Sequence, residues 1–303
     1  MIKKIINYLL MKSSYVSLLK KELDLYKTQY PPGHFYSSIV SKDIVKKNEK
    51  RIFEINSNQI SGINLNEEKQ LILLEDIKDM YITIPFSSHK NEDFRYYFEN
   101  NYYSYSDAIF LHLLIRHFKP KQIIEIGSGY SSAVMLDTNE MYFNNSIKIS
   151  FIEPYPNRLF SLCKDIDKTS NTFITECVEN IDLSIFNLLN ENDILFIDST
   201  HVSKTGSDVN FILFEILPRL KQGVLIHFHD IFYPFEYPKS WVLEQNGFCW
   251  NEDYILKAFL MYNNEFEIIL FNTFLEHFYE NWFLENMPNC LKNRGGSIWL
   301  RKK

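Results

Sequence analysis

From residue 106 onward, short runs of β-branched and aromatic residues alternate with longer segments whose apolar positions recur every three or four residues. This is the pattern of buried strands feeding into covering helices. A helix over 107–118 leads in, and strands are predicted at 122–126, 149–153, 172–177, 194–198 and 224–229. Amphipathic segments near 132–138, 156–165, 183–189 and 208–220 supply the helices. Five βα units in succession build a parallel sheet covered on both faces. A helix at 254–261, a strand at 267–271, a Phe- and Trp-rich helical stretch at 275–286 and a strand at 297–301 then predict a closing antiparallel hairpin with a helical connection.

Residues 1–105 read differently, and a boundary is expected between them and a domain at 106–303. Lysine-rich helical patterns, a turn-prone Tyr30-Pro31-Pro32-Gly33 and a polar stretch at 87–93 describe a mainly helical appended region. Asn66-Glu67-Glu68 opens a helix running through Leu74, and the Tyr- and Phe-rich 95–105 needs a surface to pack on or a pocket to line. Such a region would complete a substrate pocket or pair two copies into a homo-oligomer. At the start, Ile2, Ile5, Ile6, Leu9 and Leu10 beside Lys3, Lys4 and Lys12 form an amphipathic stripe. It suits a bilayer surface, or, more plainly, packing on the body or on a second subunit. Asn7 and Lys12 interrupt the apolar run, so no signal peptide is read.

Charge narrows the function. Lys plus Arg number 32 against 38 Asp plus Glu, a net of −6, which leaves no cationic excess for a phosphate backbone and disfavours nucleic acid. Cys163, Cys177, Cys249 and Cys290 are far apart with no CxxC pair, which suits a reducing cytoplasm better than a disulfide or zinc framework. No stretch approaches the ~20 apolar residues of a spanning helix, so no integral membrane segment is expected.

In a parallel α/β sheet, ligands bind beyond the carboxyl ends of the strands. Strand one ends in Glu125-Ile-Gly127-Ser-Gly129-Tyr-Ser131-Ser132, where two glycines allow a tight turn and the following helix offers free N–H groups. Strand two ends in Glu153, 24 residues past the second glycine, suited to a ribose diol. Together they point to an adenosine-type cofactor, while the glycine pair alone fits any strand-to-helix turn. These residues and the five βα units with a closing hairpin resemble a class I S-adenosylmethionine-dependent methyltransferase, over 106–303. The resemblance implies a Rossmann-like α/β sheet, mostly parallel with a C-terminal antiparallel hairpin. It also implies Glu125, Gly127, Gly129 and Ser131 at the methionine part, Glu153 at the ribose, and Val178 and Glu179 beside the adenine. A dinucleotide site would favour Gly or Ala where Ser132 stands.

Strand four ends in Asp198-Ser-Thr-His201 and strand five in His227-Phe-His229-Asp230, so carboxylates and imidazoles converge on the same sheet edge. Oxygen donors suit Mg²⁺, Ca²⁺ or Mn²⁺, and added imidazole widens the choice to Fe²⁺ or Zn²⁺. The two motifs resemble the subgroup containing metal-dependent catechol and sugar O-methyltransferases. That resemblance implies Asp198 and Asp230 as metal ligands and His201 as base beside a catalytic Asp198; the family's third protein ligand has no match here, and His229, directly before Asp230, is the candidate for it. One of His227 and His229, which share a face, is expected to be structural. Ser207 or Asp208 reads as a helix N-cap, and Arg158 and Arg219 as solvated helix ends.

After strand five comes an aromatic, proline-stiffened run carrying Glu236, Tyr237, Trp241 and Trp250, expected to wall the acceptor site. The plainer reading is a hydrophobic loop packed under the appended region. The expected activity is O-methylation of a sugar or glycan-precursor hydroxyl in polysaccharide biosynthesis. A small aromatic or natural-product acceptor, a nicotinamide-dependent oxidoreductase and a non-catalytic nucleotide-fold module are the alternatives.

Overall fold

The computed structural model describes residues 13–25, 27, 29–244 and 248–303; the amphipathic stripe within 1–12 and residues 245–247 of the expected acceptor wall lie outside them. The expected strands form one seven-stranded sheet: β1 Gln122–Ile126, β2 Lys148–Ile152, β3 Thr172–Ile174, β4 Ile194–Ile197, β5 Leu225–His229, β6 Phe266–Phe271 and β7 Ser297–Lys302. Their order is β3-β2-β1-β4-β5-β7-β6. The first five are parallel, and β7 runs antiparallel to both β5 and β6. This is the expected Rossmann-like sheet with its closing hairpin. Every residue of β4 and β5 is buried, as both-face coverage demands. Strand order reverses between β1 and β4, so a crevice opens beyond their carboxyl ends.

Several elements differ from expectation. Strand three stops at Ile174, not 177, and the chain turns at Val178–Asn180. The 208–220 segment is a four-residue α-helix, Asp208–Phe211, followed by a π-turn at Ile212–Ile216 and a 3-10 turn at Leu217–Arg219. Pro218 lies within that last turn and withholds a backbone donor, which prevents a regular continuation. The helix begun at Glu67 runs to Tyr81, seven residues past the predicted end at Leu74.

The chain divides into two compact units, and the division does not fall at residue 105. One unit is Ile55–Pro238 with Trp250–Lys303; the other comprises the described residues up to Glu54 with those of Lys239–Cys249. Residues 55–105 join the sheet unit because Leu74, Ile77, Tyr96, Phe98 and Tyr103 are buried in its core. A single arginine fastens this segment. Arg95 donates from Nε and Nη2 to both Asp167 oxygens at 2.7 Å, and from Nη1 to Asp137 and Glu140, each at 2.7 Å. The Arg95 and Tyr96 amides add bonds of 2.9 Å to Asp137 Oδ2. In the smaller unit, Ser41 caps the Lys42–Lys47 helix by accepting from the Ile44 amide, and Glu49 pairs with Lys239. Among the described residues, no helix is long and apolar enough to cross a membrane.

Candidate active site

The turn after β1 is built on Gly127. Its φ is +78°, and a Cβ there would lie 1.9 Å from the Asp198 carbonyl oxygen, so only glycine fits. The turn is stitched to both neighbours: the Gly127 amide donates to Ile152 O at 3.0 Å, and the Asp198 amide donates to Ile126 O at 2.8 Å. Gly129 has φ 176°, an extended conformation, and a Cβ there would meet the Arg158 side chain at 3.2 Å. The Arg158 guanidinium lies 3.8 Å over the Tyr102 ring, so it is part of the loop's surroundings and not a bare helix end.

Glu125 and Ser131, expected at the cofactor, stand beneath the turn. Both Glu125 oxygens accept from serine hydroxyls, Ser131 Oγ at 2.6 Å and Ser132 Oγ, and all three side chains are buried. Ser132 Oγ in turn accepts from the Gly129 amide at 3.0 Å. Burial pushes the Glu125 carboxyl up to about 8, against the pull of the two hydroxyls. This acid braces the loop from below.

Above it lies a cleft of about 280 Å³ lined by Gly127, Glu153, Tyr155, Cys177, Val178, Glu179, Asp198, Ser199, Thr200 and Asp208, with Ile126, Ile152 and Pro154. Gly127, Glu153, Val178, Glu179 and Asp198 were expected there. Glu153 Oε2 accepts from the Ser128 amide at 3.1 Å and Oε1 from the Tyr155 amide at 2.8 Å, so the acid is clamped between the glycine turn and its own loop. Tyr155, Thr200 and Asp208 were not foreseen at this cleft. Ser207 is the N-cap, accepting from the Asn210 amide, while Asp208 holds Thr200 through its amide at 2.7 Å and its hydroxyl at 2.6 Å. Four carboxylates line the cleft, and none of its lining residues is Lys, Arg or His.

Beside it, His201 and Asp230 each adopt a positive φ, +60° and +55°. The His201 Nε2 lies 3.3 Å from Asp198 Oδ1 and 3.6 Å from Asp230 Oδ2. On the other side, Nδ1 lies 2.8 Å from Glu252 Oε2, an acid that sequence reading missed. Ser199 Oγ donates to that oxygen at 2.9 Å and accepts from the His201 amide at 2.9 Å. Burial lowers the His201 pKa, but its bonds to Asp198 and Glu252 outweigh this and hold it well above 6.5. Burial pushes Asp230 up to about 6. Asp198 is raised by burial, yet the bond from His201 and the charge of His229 hold it below the ordinary value.

His229 is buried with Nε2 3.5 Å from Asp230 Oδ1 and Nδ1 without a partner. His227 is the structural member of the pair, stacked on Phe196 at 3.9 Å. Among the described residues, no group of three or more His, Cys, Asp and Glu side chains is arranged to hold a metal ion. The His201 imidazole also stands within 3.6 Å of both expected ligand carboxylates. The donors thus fit an imidazole shared by Asp198 and Asp230, not a cation held by Asp198, Asp230 and His229.

The expected acceptor wall is only partly assembled. Trp250 lies on His201, ring centroids 4.3 Å apart, and pairs edge-on with Tyr237 at 6.1 Å. Tyr237 is buried, its hydroxyl taking the Asp253 amide at 3.2 Å, and half-buried Glu236 accepts from Tyr254 at 2.5 Å. Trp241 belongs to the other unit, where it packs edge-on against Phe248.

Residues 124–231 match a family model described as a methyltransferase domain. A protein of Archaeoglobus fulgidus, described only as uncharacterized, is 38% identical over 168 residues, covering 54% of this chain and 75% of that protein. Among solved structures, the S-adenosylhomocysteine-bound methyltransferase PaMTH1 of Podospora anserina is 15% identical with a TM-score of 0.43, covering 91% of this chain and 100% of that one. A putative O-methyltransferase of Klebsiella pneumoniae is 13% identical with a TM-score of 0.39, covering 86% and 96%.

Proposed function

We propose that the chain is an S-adenosylmethionine-dependent methyltransferase that methylates a hydroxyl oxygen of a sugar or glycan precursor, with His201 taking the hydroxyl proton; the match of residues 124–231 to a methyltransferase-domain model supports the reading. The observation that carries this reading is the charge of the cleft. Glu153, Glu179, Asp198 and Asp208 line it, and none of its lining residues is Lys, Arg or His. That lining suits a ligand bearing sulfonium and ammonium charges and repels the pyrophosphate of a dinucleotide. Gly127 is part of the cleft lining, and Glu153 keeps acceptor capacity for a ribose diol beyond its two amide bonds.

When bound, S-adenosylmethionine supplies a methyl carbon whose bond to sulfur breaks as its bond to the acceptor oxygen forms. In its neutral form His201 accepts the hydroxyl proton at Nε2, on the Asp198 side of the cleft, and Asp198 and Asp230 stabilise the imidazolium that results. The Trp250 face beside His201 supports a sugar-type acceptor, whose C–H surface packs on an aromatic plane while carboxylates take its hydroxyls.

Calorimetric titration with S-adenosylmethionine, S-adenosylhomocysteine and NAD tests the cofactor, and a panel of p-nitrophenyl glycosides, nucleotide sugars and catechols tests the acceptor. Both sulfur ligands should bind wild type and His201→Ala alike, while His201→Ala loses about 10²–10⁴-fold in turnover on a sugar acceptor. Binding of NAD alone would overturn the cofactor, turnover of catechols alone would overturn the sugar, and full turnover by His201→Ala would overturn the base.

A further inference from the structure

Glu252 lies 51 residues beyond His201 in the sequence, yet its Oε2 is 2.8 Å from His201 Nδ1. Three further contacts tie the two together. The Asn251 and Glu252 amides donate to the His201 carbonyl at 3.0 and 3.2 Å, and Ser199 Oγ links the His201 amide to the same Glu252 oxygen. The Trp250 ring covers one face of the imidazole. Glu252 is 1% exposed, and its Oε1 has no partner. It is the first residue of the Glu252–Leu260 helix. A cap alone does not require the side chain to face an imidazole with one oxygen left unbonded.

We propose that Glu252 is the positioning residue of His201, holding the proton on Nδ1 so that Nε2 is presented to the acceptor. Glu252 Oε2 is the nearer partner, 2.8 Å from Nδ1 against 3.3 Å between Nε2 and Asp198 Oδ1, so when the ring gives up one of its two protons the one on Nδ1 is the better held. In the neutral ring the lone pair then sits on Nε2, the atom beside Asp198 and Asp230. Without the carboxylate, the ring can exchange tautomers, and a base with its proton on Nε2 cannot accept another there. The inference rests on the reading of His201 as base and extends it with a residue outside the strand-end motifs.

The test compares full-length wild type, Glu252→Ala, Glu252→Gln, Glu252→Asp and His201→Ala. ¹⁵N-histidine spectra, in which the His201 signal is assigned by its loss in His201→Ala, need no acceptor. Turnover is followed by methyl transfer from labelled S-adenosylmethionine to p-nitrophenyl glycosides. Above the pH at which the ring becomes neutral, Nδ1 should be protonated in wild type and the tautomers mixed in Glu252→Ala. Turnover in that variant should fall about 10–100-fold, with S-adenosylmethionine affinity within about twofold and partial recovery in Glu252→Asp. Should Glu252→Ala fail to fold, Glu252→Gln is held to the same fall in turnover at unchanged cofactor affinity. A wild-type tautomer and rate in the variants overturns the proposal while leaving His201 as base if His201→Ala is still inactive. Loss of cofactor affinity in step with turnover overturns it as well, making Glu252 a merely structural acid.

Discussion

The sheet unit contains two buried ionic clusters that solve the same problem in opposite ways. Around Arg95, three carboxylates meet the guanidinium at 2.7 Å, Lys164 neutralises the outer acid, Glu140, at 3.0 Å, and no polar atom of these side chains is left unpartnered. Around His201, Glu252 Oε1, His229 Nδ1 and the neighbouring Asp253 Oδ2 are buried without partners. Unpaired buried polar atoms are expensive, so a purely structural cluster eliminates them. Orphans alone do not make a site, since Glu276, Asn272 and Ser297 also carry them. What distinguishes the His201 cluster is its continuity, through the 36%-exposed Asp198 side chain, with the cleft of four carboxylates.

The sharpest way to break this comparison is Arg95→Met. It removes the one cation that Asp137 and Asp167 share in the interior, and an uncompensated buried charge costs about 3–5 kcal/mol. Urea unfolding should show that loss, while the cofactor affinity of the remaining folded protein stays near wild type. A stability change under about 1 kcal/mol would mean that water or a rearranged side chain replaces the guanidinium, and the two clusters would no longer differ in kind.

Much of the site was legible because strand ends are legible. The alternation of β runs and amphipathic segments put Gly127, Glu153 and Asp198 at strand ends, the family resemblance added Val178 and Glu179, and the cleft contains all five. The facing of Glu125 was not legible: β1 is covered on both sides, so no polar–apolar alternation marks which way its acid points. Glu252 was hidden for another reason. Its pairing with His201 depends on the chain returning through a separate helix, and no local spacing encodes that return. Residues 55–105 read as part of the appended region because the regular β–α alternation starts only at 106 and a polar stretch at 87–93 precedes it, whereas Leu74, Ile77, Tyr96 and Phe98 pack into the sheet's core. The metal set followed from donor types gathered at one sheet edge and from the motif resemblance, neither of which gives side-chain geometry, and the His201 imidazole stands within 3.6 Å of both expected ligand carboxylates.

Glu125 sharpens the comparison from a third direction, as a buried acid with hydroxyl partners and no cation. Its carboxyl is raised from 4.5 to about 8, mainly by burial. Between those pH values the folded protein keeps a proton that the unfolded chain has released, so stability falls as pH rises and levels off above about 8. The slope is about 1.4 kcal/mol per pH unit at most. Glu125→Gln should remove that slope in urea unfolding measured from pH 5 to 8. A slope unchanged in the variant would place its origin in another buried acid.

The smallest expected effect lies at the rim of the Arg95 cluster, and it asks whether burial or mere pairing sets the energy. Glu140 meets Arg95 Nη1 at the same 2.7 Å as Asp137 does, but its side chain is 41% exposed against 1%. Water already solvates that carboxylate, so Glu140→Gln should cost about 0.5 kcal/mol and less in high salt. Asp137→Asn should cost several times more, because the carboxylate it loses lies inside and also holds the Arg95 and Tyr96 amides. Equal costs from the two substitutions would show that distance, not desolvation, governs this cluster, and the contrast with the open charges around His201 would then need another cause.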